Sequence, residues 1–124
     1  MAFIGGYEMK KVAVRDLTHS QISWCVELAE RMRKGCTVHE VITPRGANLC
    51  LLGDIPNYCA DWSKAGPIIE RERITIVPVA TDNGWRARGD SNCGAPFTKD
   101  HALLPAAMCC YVLAVFGDVV ELPE

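Results

Sequence analysis

The chain has no surplus of positive charge: 13 Lys and Arg stand against 15 Asp and Glu, a formal net charge of −2. Binding along a phosphate backbone needs a basic face, so bulk nucleic acid is not an expected partner. A small basic pocket for a compact anion remains compatible with that balance. Long apolar runs are also lacking. The longest stretch without charge or His, Ala102 to Phe116, has fifteen residues and includes Pro105. A membrane span takes about 20. The opening MAFIGGYEMKK has too short an apolar run for a secretory signal and no small-residue cleavage site after it. No C-x-x-C pair occurs among the seven cysteines, at positions 25, 36, 50, 59, 93, 109 and 110. An odd count with no signal fits reduced thiols in a cytosol, most of them small buried hydrophobes. Walker loops, dinucleotide-binding glycine patterns and metalloprotease His pairs are all missing, so no cofactor is expected.

What is present suits one globular domain over residues 1–124, since half this length would hold too little core. Met9 to Val14 reads as a first strand. Thr18 and Gln21 have the spacing of a capping box, with Leu17 and Ile22 placed for a hydrophobic staple. Ile22, Cys25, Val26, Ala29 and Met32 recur at helical spacing, Trp24 and Leu28 widen the stripe, and Gly35 can end it. Cys36 to Thr43 reads as a strand, Pro44 to Gly46 as a turn and Asn48 to Leu52 as a short apolar run. Pro56 to Gly66 reads as loop with some local helical turn, and Pro67 suits the first position of a short helix, PIIERER. Ile74 to Thr81 is a strand whose Pro78 suggests an edge; Asn83-Gly84 is a two-residue hairpin turn, and Trp85 to Arg88 return from it. After a Gly/Ser/Asn/Pro loop from Gly89 to Phe97, Thr98 is positioned to cap a last helix at about Lys99 to Phe116, starting nearer Leu103 if Pro105 sits in its first turn. The fold class is α+β: a small, mostly antiparallel sheet of four or five strands packed by two main helices and one short helix.

Three stretches carry a resemblance. Residues Asp61 to Glu72, DWSKAGPIIERE, resemble the "DW…GGPIIERE" segment of the NinX-like family of phage proteins. AAMCCYV from Ala106, with GDVVELP from Gly117, resembles that family's "AAMRCYV…GDEVEVP" ending. LTHSQISW from Leu17 is similar to its "LTG-x-x-L-x-W" first helix. Cys109 stands where the family commonly has Arg, so no role is carried over for that basic residue. The resemblance implies origin rather than activity: a phage or prophage accessory protein acting in the host bacterial cytoplasm.

Four pieces of chemistry can be weighed. Cys93, in Ser91-Asn92-Cys93-Gly94, would be a nucleophile if His39 or His101 served as base, with backbone N–H groups of the glycine-rich loop nearby. With seven Cys and three His in the chain, one such pairing arises by chance, and a thiol packed under a loop explains Cys93 equally. Cys109 and Cys110 point about 100° apart on a helix and make no chelating pair, so no metal is expected. Asp61, Trp62, Arg71, Arg73, Trp85, Arg86 and Arg88 form the more informative set. Trp offers a flat face and Arg a planar fork, so packing of the 61–73 segment beside the 84–88 hairpin would line a pocket for a nucleotide-like anion. The plainer alternative has Trp62 and Trp85 anchoring the chain to its core, with the arginines solvated or ion-paired. Alternation favours that alternative on the hairpin, where Trp85 and Ala87 face one side and Arg86 and Arg88 the other. Finally, the helix ending at Phe116 is apolar all round: either a central helix, or one whose surplus face binds a second copy or a host protein.

The expectation is a non-catalytic accessory protein that binds, sequestering a nucleotide-type small molecule or blocking a host protein. A small cysteine enzyme using Cys93, or a structural homo-oligomer, are the alternatives.

Overall fold

The computed structural model describes residues 2–4, 7–35, 55–81, 83–89 and 98–123. In chain order these form β1 (Ala2–Ile4), β2 (Tyr7–Ala13), a 3-10 turn (Val14–Asp16), α1 (His19–Arg33), α2 (Trp62–Glu72), β3 (Thr75–Val79), β4 (Gly84–Arg88), β5 (Thr98–Asp100), α3 (Leu103–Phe116) and β6 (Val119–Pro123). The class is α+β, with two main helices and a shorter third. Every strand pairing is antiparallel among the described residues. The strands divide between two sheets, β1-β2-β6 and β3-β4-β5, where the sequence suggested one. The strand expected over Cys36 to Thr43, the turn after it, the run from Asn48 to Leu52, and Cys93 with His39 lie outside the described residues.

Helix α1 begins as its local chemistry dictates. The Gln21 backbone N–H donates to Thr18 Oγ1 at 3.2 Å, and the Thr18 N–H donates to Gln21 Oε1 at 2.9 Å. Leu17 and Ile22, the staple positions, are both buried. Gly35, at φ +102°, closes the other end, where an L side chain would be strained.

Helix α2 starts five residues before Pro67. Asp61 takes the N-cap, accepting from the Ser63 N–H at 2.9 Å and the Ser63 hydroxyl at 2.6 Å. A charged cap at the positive end of the helix dipole offsets the intrahelical hydrogen bond that Pro67 cannot donate. At the other end Arg73 turns left-handed, φ +52°, and the Ile74 N–H reaches back to the Ile69 carbonyl at 3.1 Å.

The 74–88 hairpin is present with a different turn. Val79 pairs with Gly84, so the connection is residues 80–83, and Gly84 is already strand. Among the described residues of the connection Asn83 carries a positive φ, +55°, and with Gly84 paired in the strand the two-residue turn centred on Asn83-Gly84 does not form. Pro78 sits on β3, an edge of its sheet, where a missing N–H costs no ladder bond. Thr98, expected as a helix cap, belongs instead to β5. Its buried hydroxyl donates to the Ala106 carbonyl at 2.6 Å and lies 3.2 Å from that of Ala87, tying the sheet to α3.

Helix α3 is the centre of the molecule. Its residues from Leu104 to Leu113 are all buried, packed against α1, α2, β4, β5 and the 3-10 turn. Its all-round apolarity is thus accounted for by its own chain, leaving only Ala114 and Val115 exposed near its end. Strand β6 runs back beside β2, pairing Met9 to Ala13 with Val119 to Pro123, and puts Val120 and Leu122 into the core.

Candidate functional site

Polar chemistry gathers at the two ends of α1. At its N-terminal end a turn of chain from Ile55 to Ala60 folds against the first two helical turns. That turn is held by its own backbone, Tyr58 N–H to Pro56 O at 2.9 Å and Ala60 N–H to Asn57 O at 3.0 Å. Two side chains pin it to the helix. Tyr58 donates its hydroxyl to Glu27 Oε1 at 2.8 Å, and the Cys59 thiol donates to the His19 carbonyl at 3.5 Å. His19 itself is anchored through Nε2, 3.0 Å from Asp100 Oδ2 on β5.

Between turn and helix lies a cleft of about 540 Å³, walled by Ile55, Pro56 and Ala60 on its apolar side and by His19, Ser20, Gln21 and Asn57 on its polar side, with Ser23, Trp24 and Cys59 also contributing. None of its described lining residues is Lys, Arg, Asp or Glu. Ser23 is 5% exposed and Trp24 4% exposed, and neither the Ser23 hydroxyl nor the Trp24 indole N–H has a hydrogen-bond partner. The Ser23 hydroxyl does adjoin the Cys59 thiol, without the geometry of a hydrogen bond. Burial pushes that thiol up to about 11, the nearby Asp100 charge adding to the effect and Ser23 opposing it. At neutral pH Cys59 is therefore a protonated thiol, a poor nucleophile.

The other end of α1 is tied by a cluster that joins all three helices. Arg71 on α2 holds Glu30 on α1 with both forks, Nη1 to Oε1 at 3.0 Å and Nη2 to Oε2 at 2.8 Å. Its Nε donates to Glu72 at 2.8 Å, and Nη2 also reaches the Tyr111 hydroxyl on α3 at 3.0 Å. The Tyr111 hydroxyl donates in turn to Glu30 Oε2 at 2.6 Å, and the guanidinium sits 5.5 Å from the centre of its ring. Burial raises the Glu30 carboxyl, but hydrogen bonds from Arg71 and Tyr111, with the Arg71 charge, outweigh it and hold the group below the usual carboxylate range. Tyr111 is pushed up, first by burial and then by donating to Glu30. A cavity of about 300 Å³ borders the cluster, lined by Ala29, Met32, Arg33, Glu72, Tyr111 and Val115. A third, of about 330 Å³, is lined by Gly84, Lys99, Asp100 and His101.

The seven residues read from the sequence as a pocket are spread over these elements, and none of them lines any of the three cavities. Asp61 is a helix cap. Trp62, 56% exposed, lies along the outside of α2 over Gly66. Arg71 is engaged inside the protein, and Arg73 is the left-handed end of α2. Trp85 packs half-buried against the core beside fully buried Ala87; Arg86 is exposed and Arg88 intermediate. Helix α2 and strand β4 both pack on α3. Sequence reasoning placed Trp24 only in an apolar stripe and passed over Ser23, Asn57 and Cys59. The available signal was a Trp and a Ser, both with polar atoms, consecutive in a helix whose other buried residues are Ile, Cys, Val, Leu and Ala.

Among the described residues no three His, Cys, Asp or Glu side chains gather to hold a metal ion, and no helix is long and apolar enough to cross a membrane. A comparison with curated proteins gives no match. Residues 11–114 match the family model described as "Bacteriophage P22, NinX", a span running from β2 through the cleft and the Arg71 cluster into α3. The chain belongs to the NinX family of phage proteins.

Proposed function

We propose that this phage accessory protein works by capturing a small molecule in the cleft at the head of α1, withdrawing it from the host cell. The observation that carries the reading is the cleft itself, enclosed between the Ile55 to Ala60 turn and the start of α1 and walled, among the described residues, by apolar and uncharged polar side chains with His19. The cleft volume, about 540 Å³, falls within the range of small-molecule sites, and its mix of apolar walls with a few polar groups is the usual lining of one. The protonated Cys59 thiol favours holding over covalent chemistry at this place.

The test is to express the protein in bacteria, purify it, denature it and identify released small molecules by mass spectrometry. Ala60→Trp fills the cleft from an exposed position, and Asn57→Trp does so from a second one. Wild type is expected to release one compound in near-stoichiometric amount, and both variants, folded by circular dichroism, to release none. Equal release from wild type and variants, or none from any, overturns the proposal. The catalytic alternative through Cys93 is separated by Cys93→Ser, which leaves capture intact.

A further inference from the structure

We infer that His19, oriented by Asp100, is the hydrogen-bond acceptor of this cleft, and that the molecule held there has an apolar body and an N–H or O–H group that donates to the His19 ring. The inference rests on the cleft being the binding site and adds what its occupant must offer. His19 lines the cleft wall and its side chain is 56% exposed, so a bound molecule can reach it. Its Nε2 lies 3.0 Å from Asp100 Oδ2 on β5. A carboxylate only accepts, so Nε2 carries the ring proton. In the neutral ring the remaining nitrogen, Nδ1, then has a free lone pair and accepts.

The carboxylate is itself fixed. Its Oδ1 accepts from the N–H of Ala102, the N-cap of α3, at 3.0 Å, which turns Oδ2 toward His19. As a surface contact the pair adds little to stability. As an orienting contact it sets the hydrogen-bond sense of a cleft atom, the way a carboxylate behind an imidazole fixes its tautomer. Ser20 and Asn57 on the same polar wall each donate and accept, and impose no sense. Gln21 has its Oε1 taken by the Thr18 N–H and offers its amide hydrogens. Ile55, Pro56 and Ala60 supply the apolar contact. The same geometry gives a way to reverse the sense. In Asp100→Asn the Ala102 N–H still needs an acceptor, which keeps the amide oxygen at the Oδ1 place and puts the NH2 where Oδ2 was. That NH2 donates to Nε2, the ring proton moves to Nδ1, and the acceptor becomes a donor.

Two bicyclic probes of like shape read that sense: indole, with a ring N–H donor, and benzothiazole, with a ring-nitrogen acceptor and no donor. Affinities are measured by equilibrium dialysis at about pH 8, above the ordinary imidazole range, on protein refolded from denaturant to remove any resident molecule. Wild type, His19→Phe and Asp100→Asn are compared, each folded by circular dichroism. The place of the proton is read from the ring ¹⁵N resonances of the histidines, three in this chain, with His19→Phe assigning those of His19. The proton is expected on Nε2 in wild type and on Nδ1 in Asp100→Asn. Indole is expected to shift the wild-type His19 resonances. The ratio of indole to benzothiazole affinity should fall about tenfold in His19→Phe, the factor that one hydrogen bond of about 1.4 kcal/mol gives, and further in Asp100→Asn. Gln21 meets both probes alike in all three proteins, so only changes in the ratio are read. A wild-type proton on Nδ1, His19 resonances that indole does not move, or a ratio that does not fall in both variants each overturns the inference. An unaltered ratio is what a contact that only ties α1 to β5 would give. The release experiment with Ala60→Trp decides separately whether the cleft is the site.

Discussion

The two ends of helix α1 each bury polar groups, and they differ in how those groups are satisfied. Around Glu30, both forks of a guanidinium, a phenol and a second carboxylate are matched donor to acceptor across three helices. Around Ser23 and Trp24, two polar atoms buried more deeply than that cluster have no hydrogen-bond partner. A closed network fixes the relative placement of the elements it joins and offers nothing to a ligand. Unpartnered polar atoms do the reverse: they lower the stability of the folded protein. Arg71 thus serves the architecture, tying α2 to α1 and α3, while the head of α1 keeps polar groups that no side chain satisfies.

The sharpest way to break this contrast is Arg71→Met. It takes two of the three hydrogen bonds from the Glu30 carboxylate, leaving that of Tyr111, and should cost about 2–4 kcal/mol, less than a fully buried pair because the cluster is partly open to water. For a domain of this size the thermal midpoint would fall by roughly 10 °C. In the folded fraction the amount of small molecule released on denaturation should be unchanged. An unchanged midpoint with a lost release would assign Arg71 to the binding site.

Acid should reach the closed end before it reaches the open one. The Glu30 carboxyl is held below its unfolded value, so its contribution is fully present above the ordinary carboxylate range and is lost as pH falls through the folded value. Wild type should therefore lose more stability than Glu30→Gln between about pH 5 and pH 3. At the alkaline side the sign inverts. Tyr58 and Tyr111 are raised, and burial pushes the thiols of Cys59, Cys109 and Cys110 up to about 11. Groups raised in this way contribute stability below their unfolded values and lose it as pH rises toward the folded ones. Thermal midpoints measured across pH should show a plateau between these limbs, with Tyr111→Phe flattening the alkaline one. An acid limb identical in wild type and Glu30→Gln would place the titrating group elsewhere.

What the sequence made legible was local. The capping box at Thr18 and Gln21, the glycine end at Gly35, the edge position of Pro78 and the run of α3 all depend on residues within a few positions of each other. Even the Asn83-Gly84 turn, read as two residues where the connection is the four from 80 to 83, marked the right reversal of the chain. Pairings set by distant segments were not legible. Strand β6 forms only because β2, more than a hundred residues earlier, offers an edge, and its acidic tail gave no strand pattern of its own. Arg71 was readable as an arginine but not as the partner of Glu30, 41 positions away. The cleft is likewise tertiary: nothing in Ile55 to Ala60 states that it will fold onto the start of α1.

Arg73 tests a smaller part of the same contrast. If it acts only as the left-handed end of α2, Arg73→Gly relieves a strained backbone and should stabilise by about 0.5–1 kcal/mol, read from denaturant unfolding. A net loss would show that its guanidinium grips something the backbone account leaves out.

The least effect is expected at Ser23, and it discriminates most finely. A serine buried for structural reasons, with its hydroxyl bonded, loses about 1 kcal/mol or more on conversion to alanine. Ser23 has no such bond in the empty protein, so Ser23→Ala deletes a desolvated hydroxyl, keeps the Cβ and leaves the helix a better former. The expected change in unfolding free energy is between zero and a gain of about 1 kcal/mol. Destabilisation by about 1 kcal/mol or more would mean that the Ser23 hydroxyl serves the fold in the manner of Thr98.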